Sequence, residues 1–161
     1  MCFVRPIDYA NDWSDMRAFL VEKDVSRLRL CHAATDDNDA YILVVERNER
    51  VIGVAVVHVA ARDDMGWNPD KETPSFLVGT NAYLENIEVS KRMRRKGVGT
   101  LLLREVENEA RRRGKERLWL HTDEANVGSH RFYERNGWTH HDTVKPAWKQ
   151  GRATRIYVKE L

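Results

Sequence analysis

Between residues 82 and 122 the sequence runs, without interruption, through an apolar strand, a basic linker, two glycines, a long amphipathic helix and a second strand. The helix is the clearest element in the chain: Val98, Leu102, Val106 and Ala110 recur four residues apart on one face, and Gly114 ends it as a C-terminal cap. The strands read as Ala82–Val89 and Arg117–Thr122. A strand-helix-strand crossover needs a sheet for its helix to pack on, so the chain is committed to a layered α/β architecture.

The remaining elements fit that frame. Cys2–Ile7 reads as a short strand and Asp8–Val21 as a helix whose acidic first turn suits the helix dipole. A second short helix is expected over Val25–Ala33. After the polar break Asp36-Asp37-Asn38-Asp39, the stretches Ala40–Glu46 and Val51–Ala61 are rich in β-branched residues and are joined by Arg47-Asn48-Glu49-Arg50, which predicts a hairpin. Residues Arg62–Thr80 carry Gly66, Asn68, Pro69, Pro74 and Gly79 and read as a long loop, a length usually tied to function or disorder. Val127–Arg135 reads as a helix closed by Gly137, and Trp138–Val144 and Thr154–Glu160 as final strands. The fold class is therefore α/β: a mixed, mostly antiparallel sheet of six to seven strands flanked by about four helices.

The chain has 161 residues, 42% of them hydrophobic, which suits one domain over residues 1–161 and is too short to divide comfortably into two. Lys and Arg exceed Asp and Glu by two, so the global charge gives no argument for wholesale nucleic-acid binding. Cys2 and Cys31 are too few and too irregular for a disulfide framework or a zinc site. No stretch approaches the roughly 20 apolar residues needed to span a bilayer. The expectation is a cytoplasmic protein that binds no membrane.

The linker Arg94-Arg95-Lys96-Gly97-Val98-Gly99 sits at the mouth of the long helix. The first helical N–H groups have no partner inside a helix, and the dipole concentrates positive potential there, so such an end attracts a phosphate. Glycine lets the backbone approach an anion closely, and Arg92, Arg94, Arg95 and Lys96 add long-range attraction. By itself the pattern fits a simple turn equally well. A Walker-type loop is excluded, because no Gly-Lys-Ser/Thr is present at the required spacing.

Together with a second segment the pattern becomes specific. Arg94-Arg95-Lys96-Gly97-Val98-Gly99 resembles the Arg/Gln-x-x-Gly-x-Gly/Ala signature of the GNAT superfamily of N-acetyltransferases, and it follows a strand, Leu84–Val89, of the matching type. Asn126-Val127-Gly128-Ser129-His130-Arg131-Phe132-Tyr133-Glu134-Arg135-Asn136-Gly137-Trp138 is similar to that family's Asn-x-x-Ala/Ser-x-x-x-Tyr-x-x-x-Gly-aromatic segment. The resemblance is strong over residues 82–140, extends to the hairpin at 40–61, and is weak elsewhere. It implies a sheet splayed between its fourth and fifth strands, with the pantetheine arm of acetyl-CoA in the gap. It implies that the backbone of Ile87 and Val89 pairs with that arm and that Arg94, Arg95, Lys96, Gly97, Val98, Gly99 and Thr100 bind the pyrophosphate. Asn126 and Ser129 would lie along the cofactor, and Tyr133 near the thioester sulfur.

Acetyl transfer to an amine needs a neutral nitrogen, a polarised carbonyl and a proton for the departing thiolate. An alkylammonium ionises near ~10.4, so a base or a desolvated site must expose its lone pair. Glu85 is the first candidate base, in the strand beside the expected thioester; a carboxylate that only attracts the substrate cation is the competing reading. His121, at the end of the opposing strand, is the second, although a lone strand histidine is more often structural. Glu88, three residues after Glu85, points to the opposite face unless a bulge intervenes. Tyr133 could donate a proton to the thiolate, or simply pack, as Phe132 beside it is expected to do. The pair His140 and His141 has no companions at ligand spacing, so no metal is expected.

For the acceptor, the sequence offers only charge. Asp36, Asp37 and Asp39 precede the hairpin, and Asp63, Asp64, Asp70 and Glu72 share the long loop with Trp67. An acidic, aromatic rim steers a polycation, which suggests a small cationic amine such as an aminoglycoside-like compound or a polyamine, with Glu85, Asp63, Asp64 and Trp67 in contact with it. Solvated loops charged for solubility are the plain alternative. A protein N-terminus or lysine as acceptor, and a non-enzymatic nucleic-acid-binding domain using Arg92–Lys96 and Arg111–Arg113, are the other readings. The acidic loops oppose the last of these, and no nucleic acid is expected as a partner. Pro146–Arg155, with Trp148, could pair with a neighbour's sheet in a homodimer.

Overall fold

The computed structural model describes residues 1–20, 40–59, 80–145 and 151–161. The expected helix Val25–Ala33, the acidic segment at 36–39, all of the long loop except Thr80, and Trp148 lie outside the described residues; so do Asp63, Asp64 and Trp67. Among the described residues there are seven strands: β1 (Phe3–Pro6), β2 (Ala40–Arg47), β3 (Arg50–His58), β4 (Asn81–Val89), β5 (Arg117–Asp123), β6 (Thr139–Val144) and β7 (Thr154–Glu160). They form one sheet in the order β1-β2-β3-β4-β5-β7-β6. Every neighbouring pair is antiparallel except β4 and β5. Among the described residues there are three α-helices, α1 (Tyr9–Arg17), α2 (Val98–Arg112) and α3 (Val127–Arg135).

Local chemistry accounts for these boundaries. Asp8 caps α1 by accepting the Asn11 N–H. The helix is shorter than the expected 8–21: it stops at Arg17, and Phe19 and Leu20, whose N–H groups bond the Met16 carbonyl, pack against the core instead. The β2–β3 turn has positive φ at both central residues, Asn48 (51°) and Glu49 (59°), the mirror-type geometry that matches strand twist in a two-residue hairpin. A short 3₁₀ turn, Lys91–Met93, occupies the basic linker between β4 and α2.

Tyr41–Val45 and Val54–Val57 are buried throughout rather than at alternate positions, because both faces of β2 and β3 are covered. On one face Leu43, Val45, Ala55, Val57 and Leu84 meet the Val98, Leu102, Val106, Ala110 stripe of α2. On the other, Met16 of α1 covers Ile42, Val44, Val54 and Val56. Each large aliphatic side chain so enclosed contributes about 1.5–3 kcal/mol relative to exposure, which is why a nine-residue α1 can persist.

β4 and β5 pair over only three positions, Asn81 with Arg117, Ala82 with Leu118 and Tyr83 with Trp119. Beyond them β4 continues to Val89 and β5 to Asp123 with no shared ladder, so the sheet is forked as expected. β7 lies between β5 and β6 and completes the far arm of the fork.

Candidate active site

The fork leaves a row of β4 backbone groups without a strand partner, and the pairing on the other edge identifies them. The Ser90 N–H bonds the Ile52 carbonyl at 2.9 Å, so residue 90 turns its polar backbone toward β3. Strand groups alternate, so Glu88 also faces β3 while Val89 and Ile87 face the gap. An extended ligand with amide groups could complete that edge as an added strand would.

One extra residue in β4 sets the side chains. Val56 pairs with Asn86 but Val57 with Leu84, so Glu85 is the bulged residue that the β3–β4 register skips. Leu84 and Ile87, three apart, both pack into the α2-side core, and Glu88 lies opposite Val54 of the α1-side core. The bulge therefore intervenes, and Glu85 and Glu88 share a face. Glu88 is ion-paired with the Arg94 guanidinium, whose Nε also donates to the Val89 carbonyl at 3.0 Å.

The turn into α2 is built from two left-handed residues, Arg95 (φ 59°) and Gly97 (φ 80°). Gly97 is the N-terminal cap residue of α2, and the first helical bond runs from the Leu101 N–H to the Gly97 carbonyl at 2.9 Å. By helix geometry the N–H groups of Val98, Gly99 and Thr100 then point out of the helix end without an internal acceptor. The two glycines serve different ends. A Cβ at Gly97 would touch nothing within 4 Å, so glycine is there for its φ; a Cβ at Gly99 would lie 3.2 Å from the Phe132 ring, so glycine there admits α3. Arg92, Arg95, Lys96 and Thr100 are exposed around this helix end, which makes it a basic anion cradle.

On the α1-side face, at the apex of the fork, four polar side chains meet. Glu85 accepts a hydrogen bond from His58 Nε2, and each side chain is 9% exposed. His58 is in register with Tyr83, their rings stacked at 6.1 Å. Tyr83 in turn shares a 2.8 Å hydrogen bond with His121 Nε2 across the point where β4 and β5 part. Trp119 packs against Tyr83 with ring centroids 4.4 Å apart. Both expected base candidates, Glu85 and His121, are thus brought together at the fork. Sequence reading missed His58 and Tyr83. Nothing in a lone histidine ending a valine-rich strand marks it; only the β3–β4 register brings it to Glu85.

On the α2 side stands Tyr133, 8% exposed and packed against Phe132, Trp138 and Tyr157. Burial pushes its phenol well above the ordinary tyrosine range, and the nearby Glu88 charge pushes the same way, so the hydroxyl keeps its proton and is a donor. Asn126 is the N-cap of α3, its side-chain oxygen accepting the Ser129 N–H at 3.2 Å. The cap leaves its amide donors for other partners. Ser129 is half-buried on the first turn of α3. Among the described residues no cluster of His, Cys, Asp or Glu could hold a metal, and no helix is long and apolar enough to cross a membrane. His140 bonds locally, to the Asp142 carbonyl and Thr143 Oγ1.

Comparison with known proteins places this geometry. No curated protein matches the chain in sequence. Among solved structures, it is similar to the ribosomal-protein-alanine N-acetyltransferase of Brucella melitensis, with 19% identity over 99% of each chain and a TM-score of 0.74. It is similar to the paia N-acetyltransferase of Thermoplasma acidophilum in complex with coenzyme A, with 16% identity over 100% of this chain and 99% of that one and a TM-score of 0.72. A third likeness is to a GNAT family acetyltransferase from Elizabethkingia anophelis with acetyl-CoA bound, with 15% identity over 99% and 98% and a TM-score of 0.66. At such identities these likenesses establish the fold. The acetyltransferase (GNAT) family model matches residues 8–138, most of the chain, including β4, β5, the turn and the capping segment just described. The chain belongs to the GNAT family of acetyltransferases.

Proposed function

We propose that this acetyltransferase binds acetyl-CoA in the fork and transfers its acetyl group directly to a primary amine. The observation that carries the reading is the fork itself. The edge at Ile87 and Val89, which no described strand covers, runs from the bulged Glu85 toward the basic end of α2. The pantetheine amides would pair with that edge, and the pyrophosphate would meet the N–H groups of Val98, Gly99 and Thr100 with Arg95 and Lys96 nearby. The coenzyme A and acetyl-CoA complexes among the structural neighbours support this placement of the donor.

Glu85 is the base. It takes a proton from the acceptor ammonium, the freed lone pair attacks the thioester carbon, and the carbon–sulfur bond breaks after the tetrahedral intermediate forms. The Tyr133 hydroxyl donates a hydrogen bond to the developing thiolate, and the second amine proton goes to that sulfur. Because burial raises the phenol above an ordinary thiol, Tyr133 stabilises the thiolate as a donor rather than surrendering its own proton. His121, with Nε2 engaged by Tyr83, serves as a wall of the acceptor pocket.

The acceptor we favour is a small cationic amine. Glu85, bonded to His58, which stacks on Tyr83 beside Trp119, brings a carboxylate and aromatic rings to one face, and Asp63, Asp64 and Trp67 extend the same character in the sequence. A second reading, a protein α-amine, is favoured by the whole-chain likeness to a ribosomal-protein-alanine N-acetyltransferase. An assay of thiol release from acetyl-CoA with spermidine and with an Ala-terminated peptide separates the two. Turnover of spermidine that weakens with added salt supports the first. Turnover of the peptide alone replaces it with the second, and turnover of neither overturns both.

A further inference from the structure

We infer that Arg94 is the positioning residue of the donor half of the site, a brace that sets the spacing between the β4 edge and the anion cradle; the inference rests on the reading that acetyl-CoA binds in the fork. By charge alone Arg94 would suit a phosphate, but its contacts give it another task. One edge of the guanidinium is engaged within the protein, Nη2 on the Glu88 carboxylate and Nε–H on the Val89 carbonyl at 3.0 Å. Glu88 thus offsets the charge that a phosphate would seek, whereas Arg95 and Lys96 stand exposed at the helix end.

The two acceptors mark where the brace is anchored. The Ser90 N–H points to the Ile52 carbonyl of β3, and the Val89 carbonyl, in the same planar peptide group, points the other way, into the gap. It is the last gap-facing carbonyl of β4, which ends at Val89. Arg94 itself is extended (φ −64°, ψ 154°) and directly precedes Arg95, the first left-handed residue of the turn. Backbone bonds inside the linker, from the Met93 N–H to the Ser90 carbonyl at 2.8 Å and from the Arg94 N–H to the Lys91 carbonyl at 3.4 Å, fold it upon itself. The Arg94 side chain adds a tie from the start of the turn back to the end of the donor edge.

A ligand that pairs with Ile87 and Val89 and also reaches the N–H groups of Val98, Gly99 and Thr100 has a set length between its amides and its diphosphate. A turn already held at the matching distance does not have to be ordered when that ligand binds. Arginine suits the task because its planar fork meets a carboxylate and a carbonyl at once, which the point charge of a lysine does not reproduce. Arg94 therefore acts on the donor through Val89 and the turn, without touching a phosphate.

The experiment measures acetyl-CoA affinity by calorimetry, together with the unliganded thermal midpoint, for the wild type, Arg94→Lys, Arg94→Met, Glu88→Ala and the Arg94→Met/Glu88→Ala double variant. Arg94→Lys and Arg94→Met are both expected to weaken binding on the order of tenfold, lysine failing to rescue although it keeps the charge. Glu88→Ala is expected to weaken binding by roughly threefold or more, even though it removes a negative charge beside a polyanionic ligand. The double variant binds no more weakly than Arg94→Met, since Glu88 acts only through that side chain. Near wild-type affinity in Arg94→Lys, or tighter binding in Glu88→Ala, marks Arg94 as a plain phosphate charge and overturns this inference alone. So do losses that multiply in the double variant, and so does a lowered midpoint with unchanged affinity, which marks the contact as merely structural. Absence of acetyl-CoA binding to the wild type overturns the functional reading beneath it.

Discussion

Tyr83 and His121 share a 2.8 Å hydrogen bond at the apex of the fork, Tyr83 being the last residue of β4 in register with β5 and His121 lying two positions beyond its partner Trp119. The bond ties the two arms together where the backbone ladder stops, and it engages His121 Nε2 while Nδ1 is buried. Tyr83→Phe should therefore cost about 0.5–1.5 kcal/mol in urea unfolding, the net worth of one hydrogen bond. His121→Gln should lower kcat by less than about tenfold, against 10²-fold or more for Glu85→Gln. The reverse ranking would make His121 the base.

The two glycines of the turn should fail differently. Gly97→Ala forces a Cβ into φ 80° with no clash, a cost of about 1–2 kcal/mol from backbone strain. Gly99→Ala places a Cβ 3.2 Å from the Phe132 ring and should cost about 1–3 kcal/mol by overpacking. Replacing Phe132 with Leu should recover stability in the second variant and not in the first. Chemical unfolding of the four proteins checks this directly.

How much of this could be read from the sequence depends on whether the relevant contact is local. The α2 stripe and the αL glycine are local: period and φ requirement are written in Val98, Leu102, Val106, Ala110 and Gly97. So is the cap at Asn126. The crossover also reveals the fork, because a resemblance carried by the turn and the capping segment brings it along. His58 and Tyr83 are non-local. Their meeting with Glu85 and His121 depends on the register of three strands and on one bulge, and shifting that register by a single residue would send His58 to the other face. The same bulge decides that Glu88 shares a face with Glu85, which simple alternation gets wrong. The end of α1 is not legible in the sequence, because Phe19 and Leu20 continue an apolar pattern while their side chains turn into the core.

Among the phenols that burial raises, which include Tyr157, those of Tyr133 and Tyr41 stay protonated in the native state, the Tyr41 hydroxyl donating to the Val106 carbonyl at 2.8 Å. Both are raised by burial above the value of about 10 they take in the unfolded chain. The unfolded state thus loses these protons first as pH rises, so the stabilisation is complete below pH ~10 and declines above it. Urea midpoints measured from pH 9 to 11 should fall, and Tyr133→Phe should flatten the decline while leaving stability at pH 7 nearly unchanged. A midpoint independent of pH in this range would contradict the buried, protonated phenols.

At the other end of the sheet, the buried Asp12 carboxylate receives both terminal nitrogens of Arg5 at 2.7 Å and the Asp8 N–H at 2.7 Å. Asp12→Ala strands the guanidinium, although Arg5 is partly exposed and keeps Glu46 at 2.8 Å. The expected loss is about 2–3 kcal/mol, below that of a fully enclosed pair. Because α1 lies away from the fork, acetyl-CoA affinity of the folded variant should match the wild type.

In the proposed function, donor and acceptor occupy separable halves of one fork. Calorimetric titration of acetyl-CoA into the wild type and into Glu85→Gln tests it most directly. Saturable one-to-one binding with the same affinity, within about twofold, is expected in both proteins, since the carboxylate belongs to the acceptor half. Absence of binding to the wild type, or its loss on removing the Glu85 charge, would contradict it.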